Sequence, residues 1–158
     1  MLQPSGFIQN FLTGVAGFTP DGALVDTYSG AGVSYIDAAD IAACAAAVLR
    51  EKIGRGATHI LTGPESLTAS DIALRLSRVV GRDVPVVSVS PEFLRKTLVG
   101  NGIPTRFADD IATLCADVAT GALAETTDAV AAMTRNAPRS FSAFADAHAN
   151  ELRRAVDQ

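Results

Sequence analysis

The chain has 158 residues, of which 48% are hydrophobic, 19% are charged and 6% are aromatic, and its formal net charge is −4. This composition excludes a disordered tail, the absence of a basic stripe argues against a nucleic-acid partner, and no apolar run reaches the ~18 residues that span a bilayer. Because residues 1–20 also lack the Lys or Arg that begins a signal peptide, we expect one soluble, cytoplasmic domain over 1–158 with no membrane partner.

The first third of the chain predicts a short helix, a long loop and a strand. Apolar residues recur at helical spacing over about 6–13, at Phe7, Ile8, Phe11 and Leu12. Residues 13–32 are rich in glycine and have no sustained period, so they are interpreted as a loop. The apolar alternation over 33–36 predicts a strand.

A helix and a second strand follow. Asp37 or Asp40 can cap a helix that ends near Glu51, because a carboxylate accepts hydrogen bonds from the free N–H groups of a first turn. Residues 59–62 then form an apolar run that is stopped by a Gly-Pro pair, which predicts a strand.

Local signals predict the next helix and the third strand. Thr68 and Asp71 have the spacing of a capping box, and Gly81 stands where a helix ends in a left-handed residue. Residues 84–89 are interpreted as a strand, and Ser90 followed by proline begins another helix.

Only helices are predicted after this point. One is expected from Pro104 to Gly121, with an apolar face formed by Phe107, Ile111, Leu114 and Val118. A brief helix over 128–135 and a final helix capped by Ser140 complete the chain. The pattern predicts an α/β part over 1–90, followed by a part with helices only over 91–158.

A search for catalytic motifs finds none that is complete. The Gly-x-Gly pair at 30 and 32 precedes the predicted strand, whereas a phosphate-binding loop follows one. Neither Tyr28 nor Tyr35 is followed four residues later by Lys, so the proton-transferring pair of short-chain dehydrogenases is absent. Cys44 and Cys115 are interpreted as small apolar residues, and no metal site is expected.

Four segments together resemble the NmrA-like family of atypical short-chain dehydrogenase/reductase proteins. Residues 2–12 (LQPSGFIQNFL) resemble its LRPxxFMxNF stretch, and residues 33–42 resemble its ISYIDVRDIA stretch. Residues 61–68 (LTGPESLT) are similar to LTGPEALT, and residues 138–148 are similar to PRSFxxFxxxH. Gln3 stands where the family has Arg, and the pair at 38 and 39 replaces Val-Arg.

The resemblance covers only the second half of a family member, so it implies a substrate-side half without the glycine loop that holds NAD(P). The fold class that it implies is α/β: a truncated Rossmann-like fragment with a few short, mostly parallel strands flanked by helices, followed by a helical substrate-side lobe. It also implies that Pro4, Gly6, Phe7 and Asn10 lie beside the nicotinamide. The substrate cleft would then be lined by Phe7, Asn10, Phe11 and Phe107, in a pocket between the 13–32 loop and the helix from Pro104. The family shares no single acid–base set, so no catalytic residue is assigned.

Three functions remain open from the sequence. The first is the substrate-binding half of an NAD(P)H-dependent oxidoreductase for a small apolar or quinone-like substrate, with the nucleotide half supplied by another chain. The second is a cofactor-independent isomerase or cyclase, and the third is a non-catalytic redox-sensing or ligand-binding regulator. NAD(P)H binding by this chain alone is expected to be weak or absent. We expect the partner to be a second copy or a separate Rossmann-half protein, because the strand edges at 33–36 and 59–62 carry no Lys, Asp or Glu.

Overall fold

A computed structural model describes residues 1–13, 17–51 and 56–157. Residues 14–16 of the predicted 13–32 loop lie outside this described part. So do residues 54 and 55 of the Gly-Arg-Gly segment at 54–56, whose glycines predict a turn. Within the described part, the strands are β1 (Leu2–Pro4), β2 (Leu24–Asp26), β3 (His59–Leu61) and β4 (Val86–Ser88). The helices are α1 (Ala38–Glu51), α2 (Ala69–Val80), α3 (Pro91–Gly100), α4 (Thr105–Ala119), α5 (Ala129–Thr134), α6 (Phe141–Ala147) and α7 (Ala149–Val156), with a 3₁₀ helix over Ile8–Phe11.

The strands form two separate parallel pairs. β1 pairs with β3 in the register Leu2–His59, and β2 pairs with β4 in the register Leu24–Val86. All strands precede residue 90 and the later elements are helical, so the predicted α/β class with few, parallel strands followed by helices is confirmed.

The helix ends predicted from local signals are confirmed. Thr68 and Asp71 form a reciprocal capping box on α2, and Gly81 ends that helix with a left-handed φ of 81°. The hydroxyl groups of Ser90 and Ser140 cap α3 and α6 by accepting hydrogen bonds from backbone N–H groups three residues later.

The structure corrects the prediction for residues 13–36. The part interpreted as a loop contains β2, which exists because its main chain pairs with β4, a partner 62 residues later. Residues 33–36, predicted as a strand, make only isolated bridges from Val33 to Leu67 and from Ile36 to Phe7. The Ser34 N–H also donates a hydrogen bond to the Leu123 carbonyl. The main chain of residues 33–36 therefore bonds to several distant segments and does not pair along a single strand.

Two helical predictions are also corrected. The buried residues of α4 are Ala108, Cys115 and Val118, whereas Phe107 and Leu114 are 57% and 58% exposed. The buried face is thus rotated by about one residue from the predicted one, with Val118 common to both. The final helix is interrupted at His148, which separates α6 from α7.

Two hydrophobic clusters hold these elements together. The larger one joins the 3₁₀ helix, β2, α2, α6 and α7 around Phe11, Leu76 and Phe141. The smaller one joins α1, β3 and α5 around Cys44, Leu61 and Met133. By contrast, α3 has no buried residue and packs mainly on α4, so these two helices form a hairpin at the side of the molecule.

Candidate functional site

The candidate site lies where the main chain leaves the carboxyl ends of β1 and β3. The turn after β1 is held on one side by a hydrogen bond from the Ser5 N–H to the Leu61 carbonyl (2.9 Å). On the other side, the Ile8 N–H donates to the Ile36 carbonyl (3.0 Å), and the Ile36 N–H donates to the Gly6 carbonyl (2.8 Å). The carboxyl ends of parallel strands are the usual ligand positions in open α/β sheets.

This turn brings together Pro4, Gly6, Phe7 and Asn10, the residues predicted to lie beside a nicotinamide. Phe7 is 39% exposed, although its main chain is bridged to Ile36. Asn10 is half-buried, and among the described residues its side-chain amide has no hydrogen-bond partner. An aromatic face and an amide are therefore available to a ligand at one point of the surface.

Gly6 has a packing explanation that the sequence did not reveal. A Cβ atom at this position would stand 3.0 Å from two ring carbons of Tyr35 and 3.2 Å from a methyl group of Val33. The ring of Tyr35 thus lies directly over the turn, and a side chain at position 6 would displace it. The close approach of the Tyr35 ring to Gly6 explains why a glycine fits at position 6. The same contact brings Tyr35 into the candidate site.

Phe11 and Phe107, the other two predicted cleft residues, have different environments. Phe11 is 2% exposed, and its ring makes edge-to-face contacts with Tyr35 and Phe141 at centroid distances of 5.3 Å. Phe107 lies on α4 and is 57% exposed. Among the described residues, no ring contact joins Phe107 to Phe7 or Phe11. The described contacts thus place Phe11 in the core and leave Phe107 on the surface.

Asp26 organises the loop that follows β2, and sequence analysis missed it. This carboxylate is only 4% exposed and accepts hydrogen bonds from the N–H groups of Tyr28 (2.9 Å) and Gly30 (2.8 Å) and from the Ser88 hydroxyl (3.0 Å). It closes the loop on itself and ties it to β4. No local signal marks this role, because Ser88 is 62 residues away.

The loop carries Tyr28 towards Tyr35 and α4. Burial raises the pKa of the Tyr28 phenol, and the neighbouring Cys115 and Asp26 raise it further. Burial also raises the pKa of Tyr35 above its usual range, with smaller contributions from Tyr28 and Asp26. Both phenols therefore stay protonated near neutral pH, so they can donate hydrogen bonds to a carbonyl oxygen but cannot serve as bases.

Replacing Asp26 with alanine is expected to destabilise the fold by about 2–3 kcal/mol, because hydrogen bonds to a buried carboxylate are lost and their donors stay unpaired. Urea unfolding would measure this loss. The matched control is Asp110→Ala, at an exposed position of α4. Its free energy of unfolding is expected to stay within about 0.5 kcal/mol of that of the parent. Equal stability of the two variants would contradict the organising role of Asp26.

The Gly-x-Gly segment in this loop does not fit a nucleotide pyrophosphate. The Gly30 N–H donates to the Asp26 carboxylate, and the Ala31 N–H donates to the Tyr28 carbonyl (3.0 Å). A phosphate cradle needs several free N–H groups at a helix start, whereas here two of the three N–H groups already have protein acceptors and the next helix begins only at Ala38. The described residues of this loop therefore supply no pyrophosphate site.

The paired aspartates near α1 have separate structural roles. Asp37 accepts a hydrogen bond from the Ala39 N–H (2.8 Å), which confirms its prediction as a helix cap. Gln9, which sequence analysis missed, adds a second cap because its side-chain oxygen accepts from the Ala38 N–H (3.1 Å). Asp40 binds the backbone N–H and guanidinium of Arg139 at 2.7 and 2.8 Å, so its prediction as a cap was wrong.

The two cysteines are buried, and burial affects the reactivity of their thiols. Burial raises the pKa of both the Cys44 and the Cys115 thiols, so each stays protonated and unreactive at neutral pH. Within the described ranges, no three His, Cys, Asp or Glu side chains are grouped as metal ligands would be. None of the helices in those ranges is both long enough and apolar enough to cross a membrane.

Known oxidoreductases are similar to this chain over almost its whole length. No protein-family model matches the sequence. The uncharacterized oxidoreductase YesF of Bacillus subtilis is 37% identical over 152 residues, which are 94% of this chain and 53% of that protein. The NAD(P)H azoreductase of Xenophilus azovorans is 33% identical over 94% of this chain and 52% of its own length. The chain thus spans about half the length of these relatives.

A solved structure supports the same fold. The NADPH-dependent quinone oxidoreductase of Escherichia coli, in complex with NADPH, superposes with a TM-score of 0.79 at 21% identity. The match covers 92% of this chain and 51% of that structure. The described elements therefore share the Rossmann-like α/β fold of that structure over about half of its length.

Proposed function

We propose that this chain is the substrate-side half of an NAD(P)H-dependent oxidoreductase whose substrate is small and apolar or quinone-like, with the nucleotide-binding half supplied by another chain. The observation that carries this proposal is the similarity, over 94% of the chain, to an NAD(P)H azoreductase that is about twice as long. The electrons for the reduction are assigned to the nucleotide held by the other chain.

The candidate site supports a flat, aromatic substrate with a carbonyl or azo group. Phe7 presents a partly exposed ring to stack on such a molecule. The Asn10 amide and the protonated Tyr28 phenol can donate hydrogen bonds to an oxygen or nitrogen acceptor. These groups bind and orient a substrate. The raised pKa of the Tyr28 phenol keeps it protonated at neutral pH, so it acts as a hydrogen-bond donor and not as a base.

The predicted cofactor residues fit only one end of the nucleotide. Pro4, Gly6, Phe7 and Asn10 follow the carboxyl end of β1, where the nicotinamide would approach the substrate. The N–H groups of Gly30 and Ala31 already have protein acceptors, and the loop begins no helix, so we assign the pyrophosphate to another site. Because the nicotinamide end and the pyrophosphate are assigned to different places, we favour a nucleotide-binding half on a second polypeptide over a complete nucleotide site in this chain.

The isolated chain is therefore expected to bind NADPH no more tightly than about 0.1 mM, because several charge-assisted hydrogen bonds to the pyrophosphate are missing. A naphthoquinone is expected to bind the same preparation measurably. Titration calorimetry with each compound tests both expectations. Low-micromolar binding of NADPH to the isolated chain would contradict the assignment of the nucleotide site to another chain.

The substrate assignment has its own test. Phe7→Ala is expected to weaken naphthoquinone binding about fivefold, because one stacking surface worth ~1 kcal/mol is lost. Phe93→Ala, at a 59% exposed ring on α3, is the control and should leave binding unchanged. Chemical conversion of the ligand without any nucleotide would instead favour the isomerase or cyclase function. Binding without turnover, even when a nucleotide half is present, would favour a regulator.

A further inference from the structure

The carboxyl end of α3 is closed by a turn that contains the pair Asn101-Gly102. The Gly102 N–H donates to the Val99 carbonyl (3.0 Å), and the Ile103 N–H donates to the Leu98 carbonyl (3.0 Å). Gly102 has the left-handed φ of 85° that this kind of helix end requires. These two hydrogen bonds form the turn that separates α3 from α4.

The side-chain amide of Asn101 is free at this turn. Asn101 is an exposed residue, and among the described residues its amide has no hydrogen-bond partner. The chain has three other asparagines, at positions 10, 136 and 150, and none of them is followed by glycine. Asn101 therefore combines an exposed, unbonded amide with a neighbouring main-chain nitrogen that no Cβ atom hinders.

We propose that Asn101 is a site of spontaneous deamidation, a modification that is independent of the proposed function. The Gly102 nitrogen loses its proton and attacks the side-chain carbonyl carbon of Asn101. A new C–N bond forms there, the C–N bond of the side-chain amide breaks, and its nitrogen leaves as ammonia after taking up the proton. The resulting cyclic imide adds one water molecule, which opens either of its C–N bonds and leaves aspartate or isoaspartate at position 101.

The structure indicates how the folded chain controls this reaction. In the closed turn the Gly102 N–H is bound to the Val99 carbonyl, so the turn must open before the nitrogen can attack. Because α3 has no buried residue, little packing opposes the opening of its last turn. We therefore expect the folded chain to deamidate about tenfold more slowly than a free peptide of the same sequence.

Conversion is expected to loosen the end of α3. The new carboxylate stands beside the last carbonyl groups of the helix, where the helix dipole disfavours negative charge. Isoaspartate also adds one carbon atom to the main chain, so the two hydrogen bonds of the turn lose their spacing. Among the described residues, neither hydrophobic cluster includes a residue of α3 or α4, so the core does not hold the turn closed.

The experiment is incubation of the full chain at mildly alkaline pH, followed by tryptic digestion at mildly acidic pH and mass spectrometry. Residues 97–106 form one tryptic peptide, and Asn101 is its only asparagine. This peptide is expected to show the mass change of an amide NH₂ replaced by OH, in two products of equal mass that chromatography separates. If it stayed unchanged after a synthetic peptide of the same sequence had been fully converted, the proposal would be wrong.

Residues 140–153 provide an internal control in the same digest. They contain Asn150, which is followed by Glu151 and whose side-chain oxygen accepts a hydrogen bond from the Arg153 guanidinium (2.9 Å). Asn150 lies in α7, which buried residues hold in place, so we expect no conversion there over the same incubation. Equal conversion at the two asparagines would overturn the assignment of the site to the α3 turn.

Gly100→Ala tests whether the helix end controls the rate. Alanine at the last residue of α3 favours the closed turn, and a Cβ atom there has no neighbour within 4 Å. Deamidation of the folded chain is expected to slow about two- to fivefold, whereas a synthetic peptide with the same substitution should react at the rate of the parent peptide. Equal slowing in the chain and in the peptide would contradict control by the turn.

Hydrogen exchange tests the structural consequence. The deamidated chain carries one additional negative charge, so anion exchange separates it from the parent. Its α3 amides are expected to exchange about fivefold faster or more, while the amides of α2 keep their rates. Asn101→Gln forms the larger imide ring far more slowly, so its α3 amides should exchange at the same rate before and after incubation. Unchanged exchange of α3 in the deamidated chain would overturn the expected loosening.

Discussion

Gly63→Ala is expected to destabilise this protein by about 3 kcal/mol, because a Cβ atom would overlap main-chain atoms that cannot turn aside. Gly63 is buried two residues after the end of β3. An ideal Cβ there would stand 2.0 Å from the carbonyl oxygen of Tyr35 and 3.1 Å from its carbonyl carbon. The 33–36 segment would have to move away from β3, and Tyr35 would move with it.

Urea unfolding measures this loss, and a second glycine provides the control. Gly100 is the last residue of α3, and a Cβ atom there would have no neighbour within 4 Å. Gly100→Ala is expected to be neutral or to stabilise the protein by up to about 1 kcal/mol, because alanine has the higher helix propensity. If both alanine variants unfolded at the parent's urea concentration, the close approach between β3 and the 33–36 segment would be disproved.

The second large effect is expected for Phe11→Ala, which should cost about 3–5 kcal/mol as a buried aromatic ring is removed and a cavity remains. Phe11 is 2% exposed and contacts the rings of Tyr35 and Phe141. Phe107→Ala removes a ring that is 57% exposed and is expected to change stability by less than about 1 kcal/mol. Thermal melts of the two variants measure the difference.

The same pair of variants tests the role of Phe107 at the substrate site. If its exposed ring contacts the substrate, Phe107→Ala will weaken naphthoquinone binding by about three- to tenfold while leaving the melting temperature unchanged. Unchanged binding would remove Phe107 from the site. A large loss of stability would instead show that its ring supports the fold, contrary to its exposure.

The candidate site could be predicted from the sequence only where it lies on one short segment. Pro4, Gly6, Phe7 and Asn10 are neighbours in the chain, so their proximity follows from a single turn. Tyr35 and Asp26 could not be identified in this way. Tyr35 reaches the site through its approach to Gly6, and Asp26 is tied to Ser88. Both contacts depend on how distant segments pack.

By itself, the sequence determined the features that depend on a few adjacent residues. The caps at Thr68, Ser90 and Ser140 and the left-handed end of α2 at Gly81 are confirmed, because each is a hydrogen bond or a dihedral preference within one turn. The parallel α/β class followed from the same local alternation of strand and helix signals.

Only the tertiary structure decided which extended segments became strands and which helix faces were buried. The three residues of β2 form a strand because β4 supplies their hydrogen bonds, whereas the better alternation at 33–36 forms none because its main chain serves several partners. On α4, Ala108 is buried and Phe107 is exposed, although the apolar spacing of the sequence favours Phe107, because the side of a helix that is buried depends on which elements pack against it. Strand pairing and helix packing each involve two segments that are distant in the sequence, so the local sequence of one segment does not determine them.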